Sequence, residues 1–178
     1  GNRGGALMGV TIVESDMQFG EYKEEQVFQI EKSEQYTKKL RQQNVRCYEF
    51  ILLRSNKLYF IEAKASYPNP QNAKSSDEKK AQYLKDIQEI TEKMRHSLNL
   101  YANILLNRYS QEGVSDVMKN VENVEIRLIL IIKNAKETWL APLQDVFRKE
   151  LKAEMRIWKI KDFFILNEER ARKKHFIV

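Results

Sequence analysis

The chain is poor in the residues that break regular structure, with 6 glycines and 3 prolines in 178 positions. That scarcity excludes collagen-like, linker-like and wholly disordered chains, and it points to regular elements with few long loops. Its one cysteine, Cys47, has no partner for an internal disulfide. The two histidines, His96 and His175, stand far apart, and no Cys/His cluster has zinc-ligand spacing. A reducing, cytoplasmic compartment is the default for such a chain. The longest strongly apolar run, Leu128 to Ile132, is far too short to span a bilayer, so no membrane partner is expected. The start, Gly1-Asn2-Arg3-Gly4-Gly5, lacks the charged-then-apolar design of a signal peptide, and residues 1–9 are expected to be a flexible lead. What is abundant is charge (31%) set against a 42% hydrophobic fraction, enough for a core inside a charged surface. The length suits one domain over residues 1–178, and a net charge of +6 favours a polyanionic partner such as nucleic acid.

Periodicity gives the order of elements. Val10 to Val13 reads as a short strand. Ser33 to Gln43 reads as a helix with Ser33 as its N-cap, while Val27 to Glu31 fits either strand or helix. Arg46 to Arg54 and Lys57 to Ser66 are β-rich runs joined by Ser55-Asn56, a hairpin signal. Tyr67 to Asn72, with two prolines, is a loop. Ser75 and Glu78 form a capping box ahead of apolar residues at three- and four-residue steps, Leu84, Ile87, Ile90, Met94, Leu98, Tyr101, Leu105 and Tyr109. This predicts one long helix stopped near Gly113. Val124 to Lys133 reads as a central strand covered on both faces, and Trp139 to Ala153 as a helix with Pro142 in its first turn. Arg156 to Ile160 and Phe163 to Leu166 are late strands in this reading. The whole is an α/β layer fold with a mixed sheet.

The hairpin carries the chemistry. A two-residue turn at Ser55-Asn56 pairs Arg54 with Lys57 and, counting back along the ladder, sets Glu49 opposite Glu62. Lys64 shares that face, opposite Cys47, with Ile51, Leu53, Leu58 and Phe60, while Tyr48, Phe50, Leu52, Tyr59, Ile61 and Ala63 line the other. Opposed side chains lie only about 5 Å apart, and like charges there are destabilising. Two carboxylates at a half-buried sheet end need a proton, a cation or both. Lys64 neutralises one, and a divalent ion with oxygen ligands, Mg²⁺ or Mn²⁺, would satisfy the other. Other acid-x-Lys triplets occur, as at Glu21-Tyr22-Lys23 and Glu150-Leu151-Lys152, but in polar or helical stretches.

Glu49 followed on the next strand by Phe60-Ile61-Glu62-Ala63-Lys64 resembles the core of the PD-(D/E)XK nuclease superfamily, over about the central hundred residues. The resemblance implies a restriction-endonuclease-like three-layer fold, a mixed central sheet between helices. It implies that Glu49, Glu62 and the carbonyl of Ala63 ligate Mg²⁺ or Mn²⁺, and that Lys64 orients the attacking water. It further implies an acid from the first helix region, Glu31 ahead of Glu34, and a Gln and Tyr on the next helix, here Gln82-Tyr83. The departures are Glu49 where the family has Asp, and Tyr48 in place of Pro.

The expected activity is metal-dependent hydrolysis of phosphodiesters, with DNA as the substrate and a homodimer as the arrangement that would cut both strands. The alternative is a nuclease-fold domain with a weakened site that binds nucleic acid or protein. Candidate nucleic-acid contacts are Gln82, Lys79, Lys80 and Lys85 on the long helix, and Arg172 and Lys173 in the basic run Arg170 to His175. Cys47, with no histidine placed near it, reads as a small buried apolar residue, and His96 as a boundary residue.

Overall fold

The computed structural model describes residues 9–67 and 69–178. Residues 1–8 of the expected lead and Pro68 of the two-proline loop lie outside the described residues, while Gly9, expected to end that lead, opens a strand. A hairpin of β1 (Gly9–Glu14) and β2 (Met17–Lys23) forms a two-stranded sheet of its own beside a five-stranded one. The sheet strands, β3 (Val27–Phe28), β4 (Phe50–Arg54), β5 (Lys57–Lys64), β6 (Glu125–Ile132) and β7 (Phe163–Leu166), lie side by side in chain order. Pairing is antiparallel from β3 to β5 and parallel from β5 to β7. The fold is thus α/β, with a mixed sheet flanked by helices.

The β4–β5 turn is built by Ser55 and Asn56, both at positive φ (51° and 57°), the backbone of a tight hairpin whose twist matches its strands. Arg54 pairs with Lys57 as the ladder arithmetic requires. Regular pairing stops at Phe50–Ile61, however, not at residue 46. The Glu49 amide donates to the Ile61 carbonyl (3.1 Å), the same residue that faces Phe50, so the chain leaves the ladder there. Two residues of this segment instead spend their backbone donors on a helix: the Arg46 amide donates to His96 Nδ1 (3.0 Å) and the Tyr48 amide to Ser97 Oγ (2.8 Å). Cys47 therefore does not face Lys64 across the ladder. Tyr48 joins Ile51 and Phe60 in the same core instead of lining the opposite face.

That helix is α2 (Asp77–Leu105), 29 residues and about 44 Å long. Its cap is Ser76, whose Oγ accepts from the Lys79 amide, one residue later than the expected Ser75. It ends at Leu105 because Asn107 turns left-handed (φ 59°), well before Gly113. Its buried stripe begins with Tyr83 in place of Leu84, which is 54% exposed, and continues through Ile87, Ile90, Met94, Leu98, Tyr101 and Ile104.

Elsewhere the expected Ser33–Gln43 helix is split. Ser33 does cap α1 (Glu34–Thr37), but Lys39 leaves helical space (φ −136°) and a 3₁₀ turn follows at Leu40–Gln43. Val27–Glu31 is both things at once, strand β3 and then a 3₁₀ turn at Ile30–Lys32. After the short α3 (Asp116–Lys119) and β6, the helix expected at Trp139–Ala153 is two, α4 (Glu137–Glu150) and α5 (Lys152–Ile157). The latter replaces the strand expected at Arg156–Ile160. Strand β7 has the expected bounds, and α6 (Glu168–Lys173) follows it.

Strand alternation splits the core into two. Leu58, Phe60, Leu128, Leu130 and Ile132 face one side, packed by α2, α4 and the segments around them. Phe50, Leu52, Ile61, Ala63, Ile129 and Ile131 face the other, covered by β1–β2, α6 and the closing Phe176-Ile177.

Candidate functional site

The acidic end of the hairpin lies on the α2 side of the sheet. Glu62, in the buried part of β5, is fully enclosed (0% exposed), and the structure places Lys93 of α2 against it. The Lys93 ammonium sits 2.9 Å from Glu62 Oε2, with only 16% of the lysine side chain exposed. The other oxygen, Oε1, accepts from the Ala63 amide (3.1 Å). The cation that answers Glu62 is therefore Lys93, not Lys64 as the sequence reading had it.

Glu49 sits beside this pair at the point where the ladder ends. Burial, a hydrogen bond with Glu31, and the charge of Glu62 push its carboxyl up to about 10, so it carries a proton at neutral pH. Glu31 reaches in from the 3₁₀ turn after β3, and its Oε2 is buried without a hydrogen-bond partner among the described residues. Burial works against charge on Lys93, yet Glu62, with Glu49 and Glu31 behind it, holds its ammonium above the usual lysine range. Three carboxyls thus converge on one ammonium.

Lys64 is half-buried at the mouth of a cleft of about 410 Å³, lined also by Ser66, Tyr67, Asp86, Glu89 and Ile90. The hydroxyls of Tyr48 and Tyr67 are buried without partners among the described residues, and burial raises both, with Glu62 adding to the effect on Tyr48. Cys47 packs against Ser97, and burial pushes its thiol up to about 12, which suits the inert role expected of it. His96 is tied to the Arg46 amide, and Arg46 itself pairs with Glu89 (3.0 Å).

Of the other expected site residues, Glu34 is exposed and paired with Lys38 (3.6 Å), away from the cluster that Glu31 joins. Gln82, Lys79 and Lys80 are exposed on the first turns of α2, where Gln82 donates to Asp86 Oδ1 (2.9 Å), while Tyr83 is buried. Arg172 and Lys173 lie on α6, on the opposite side of the sheet, paired with Glu168 (2.9 Å) and Glu169 (3.2 Å) one turn earlier.

The residue that sequence reasoning missed is Lys93. Its signal was a polar stripe at helical spacing, Asp86, Glu89, Lys93, His96 and Ser97, running beside the apolar stripe of α2.

The donor set, carboxyl oxygens with an orphaned buried oxygen on Glu31, fits a hard dication. In the structure the Lys93 ammonium already occupies one oxygen of Glu62, and among the described residues no three His, Cys, Asp or Glu side chains are disposed as a finished metal cage. Among the described residues no helix is long and apolar enough to cross a membrane. Comparison with known proteins returns nothing to set beside this arrangement: no family model matches the chain, and neither the curated proteins nor the solved structures contain a match.

Proposed function

We propose that the protein is a divalent-metal-dependent nuclease of the PD-(D/E)XK type, with a restriction-endonuclease-like fold, acting on the phosphodiesters of DNA. The observation that carries this reading is the convergence of Glu31, Glu49 and Glu62 with cationic side chains at one end of β4–β5. The order of elements around it, α1, the β4–β5 hairpin, α2 and β6, is in keeping with the resemblance. Mg²⁺ or Mn²⁺, when bound, supplies Lewis acidity that makes water more acidic and offsets charge at the phosphate. Glu49, Glu62 and the Ala63 carbonyl would hold it, with Glu31 as a further oxygen donor. Lys64, at the cleft mouth, orients the attacking water and stabilises the charge gathering on the phosphate. The cleft beside it admits the substrate backbone, and Lys79, Lys80 and Gln82 extend the contact along α2. Two copies would be needed to cut both strands at one place.

One observation favours a second reading, a nuclease-fold domain that binds nucleic acid or protein without cutting. Glu62 is already satisfied by Lys93 and by the Ala63 amide, so a cation must compete for its oxygens.

The test is nicking of supercoiled plasmid in Mg²⁺ or Mn²⁺, with EDTA and Lys64→Ala protein as controls. Cutting that is lost in both supports the nuclease and places Lys64 in its site. Folded wild-type protein that binds DNA but leaves it intact moves the assignment to the second reading. Cutting that survives Lys64→Ala removes Lys64 from the site.

A further inference from the structure

A second concave site lies on the other face of the sheet and at the other end of the hairpin, roughly 17 Å from Glu62 along β5. It is a cavity of about 280 Å³. Four cations surround it, Arg54, Lys57, Arg127 and Lys174. Its walls are the rings of Tyr59, Phe164 and Phe176, with Ile129 and Leu166 beneath. The acid nearest these cations is Glu125, which accepts from Arg127 (2.9 Å) and is itself shared with Lys161 (2.8 Å). The balance of the pocket is positive.

The cations differ in how far they are committed. Arg54 is fixed: it donates to the carbonyls of His175 (2.9 Å) and Lys174 (3.0 Å), and its guanidinium lies 4.1 Å from the centre of the Phe176 ring. It contributes a permanent charge and locks the closing segment of the chain into the wall. Arg127 lies near the Phe164 ring (5.7 Å), and its Nε is buried without a hydrogen-bond partner among the described residues. Lys174, unlike its neighbours Arg172 and Lys173, has no carboxylate partner among the described residues, and the Lys57 ammonium is likewise unpaired there.

Concentrated positive charge over an aromatic and aliphatic floor selects its ligand on two counts. A bare anion would leave the rings uncovered, and a neutral apolar molecule would leave the cations unanswered. The ligand that answers both is a flat ring carrying a phosphate, and the cavity, at about 280 Å³, lies just under the usual range for ligand sites. We infer that this pocket binds a nucleoside monophosphate, the phosphate held by Lys57, Lys174 and Arg127 and the base laid against Tyr59 and Phe164. The site shares no residue with the acidic cluster and does not depend on the nuclease reading.

Calorimetric titration of the intact protein with AMP, adenosine and inorganic phosphate tests it. AMP is expected to bind saturably, with adenosine and phosphate each at least about tenfold weaker. The double variant Lys57→Gln/Lys174→Gln should weaken AMP by about tenfold or more, and Lys57→Arg/Lys174→Arg should retain it, both with unchanged circular dichroism. Because these lysines sit at the rim, the fold does not rest on them. Three results would overturn the inference. One is no saturable AMP binding at millimolar concentration. A second is phosphate binding as tightly as AMP, which would make the pocket a simple anion patch. The third is AMP binding that ignores the lysine changes but is lost in Glu62→Gln, which would move the ligand to the acidic site.

Discussion

The two ends of the β4–β5 hairpin face the same difficulty and resolve it differently. At the turn, Arg54 is paired with Lys57, cation against cation. At the open end, Glu49 and Glu62 come together, acid against acid. The turn end lies near solvent, where water screens the repulsion and aromatic rings and carbonyls receive the guanidinium. At the open end Glu62 is fully enclosed and Glu49, Glu31 and Lys93 are only part-exposed, so water screens little of the repulsion. There the answer is built from within, by a proton on Glu49 and the ammonium of Lys93. Like charges at a surface are a matter of packing, whereas like charges in an interior commit two further groups to neutralising them.

The sharpest way to break the contrast is to remove the internal cation. Lys93→Met leaves Glu62 buried without its partner, and the expected loss is about 3–5 kcal/mol in urea unfolding. Adding Glu62→Gln to that background should recover most of it. A Lys93→Met protein as stable as wild type would show that Glu62 has another source of compensation.

Next in size is a pH effect confined to the open end. In the unfolded chain Glu49 titrates near 4.5, while in the folded protein its carboxyl is pushed up to about 10. The folded state therefore holds the extra proton between those values, and stability falls as pH rises through that window. The stabilisation is complete below the unfolded value and is lost toward the folded one. Glu49→Gln, permanently neutral, should flatten the slope of the urea midpoint between about pH 5 and pH 9. A slope unchanged by the substitution would mean that another group governs it.

The smallest effect belongs to the turn. Arg54→Met keeps the aliphatic stem but removes the stacking on Phe176 and the two carbonyl contacts, for an expected loss of about 1–2 kcal/mol with little dependence on pH. A loss as large as that of Lys93→Met would erase the distinction between the two ends.

How much of this was legible in the chain depended on whether the interactions were local. The Ser55-Asn56 turn, the pairing of Phe50 with Ile61, the apolar run of β6 and the bounds of β7 all follow from short-range pattern, and each was read correctly. Glu49 does come close to Glu62, although the ladder ends before pairing them, and Glu31 lies beside both with a buried oxygen. Residues 46–48 have a strand-like pattern but leave the ladder because the Arg46 and Tyr48 amides are satisfied by His96 and Ser97, some fifty positions away, which no local pattern reports. Lys93 was passed over for a related reason. In a helix so rich in charge, a lysine one step from the apolar stripe looks like an ordinary solvated residue until the sheet is placed against it. Strand β2 was missed because its alternation of Met17, Phe19 and Tyr22 is interrupted at Gly20.

The route by which Lys93 reaches Glu62 also orders the assembly of the fold in time. A hairpin closes within about 1–10 μs from its turn, whereas the parallel pairing of β5 with β6 must wait for all the chain between them. The rungs near Ser55-Asn56 can therefore zip at once, but Glu49 and Glu62 have no ammonium between them until α2 has docked. The open end of the hairpin is expected to close last, and the arrival of one lysine sets the moment at which the acidic cluster becomes part of a folded protein.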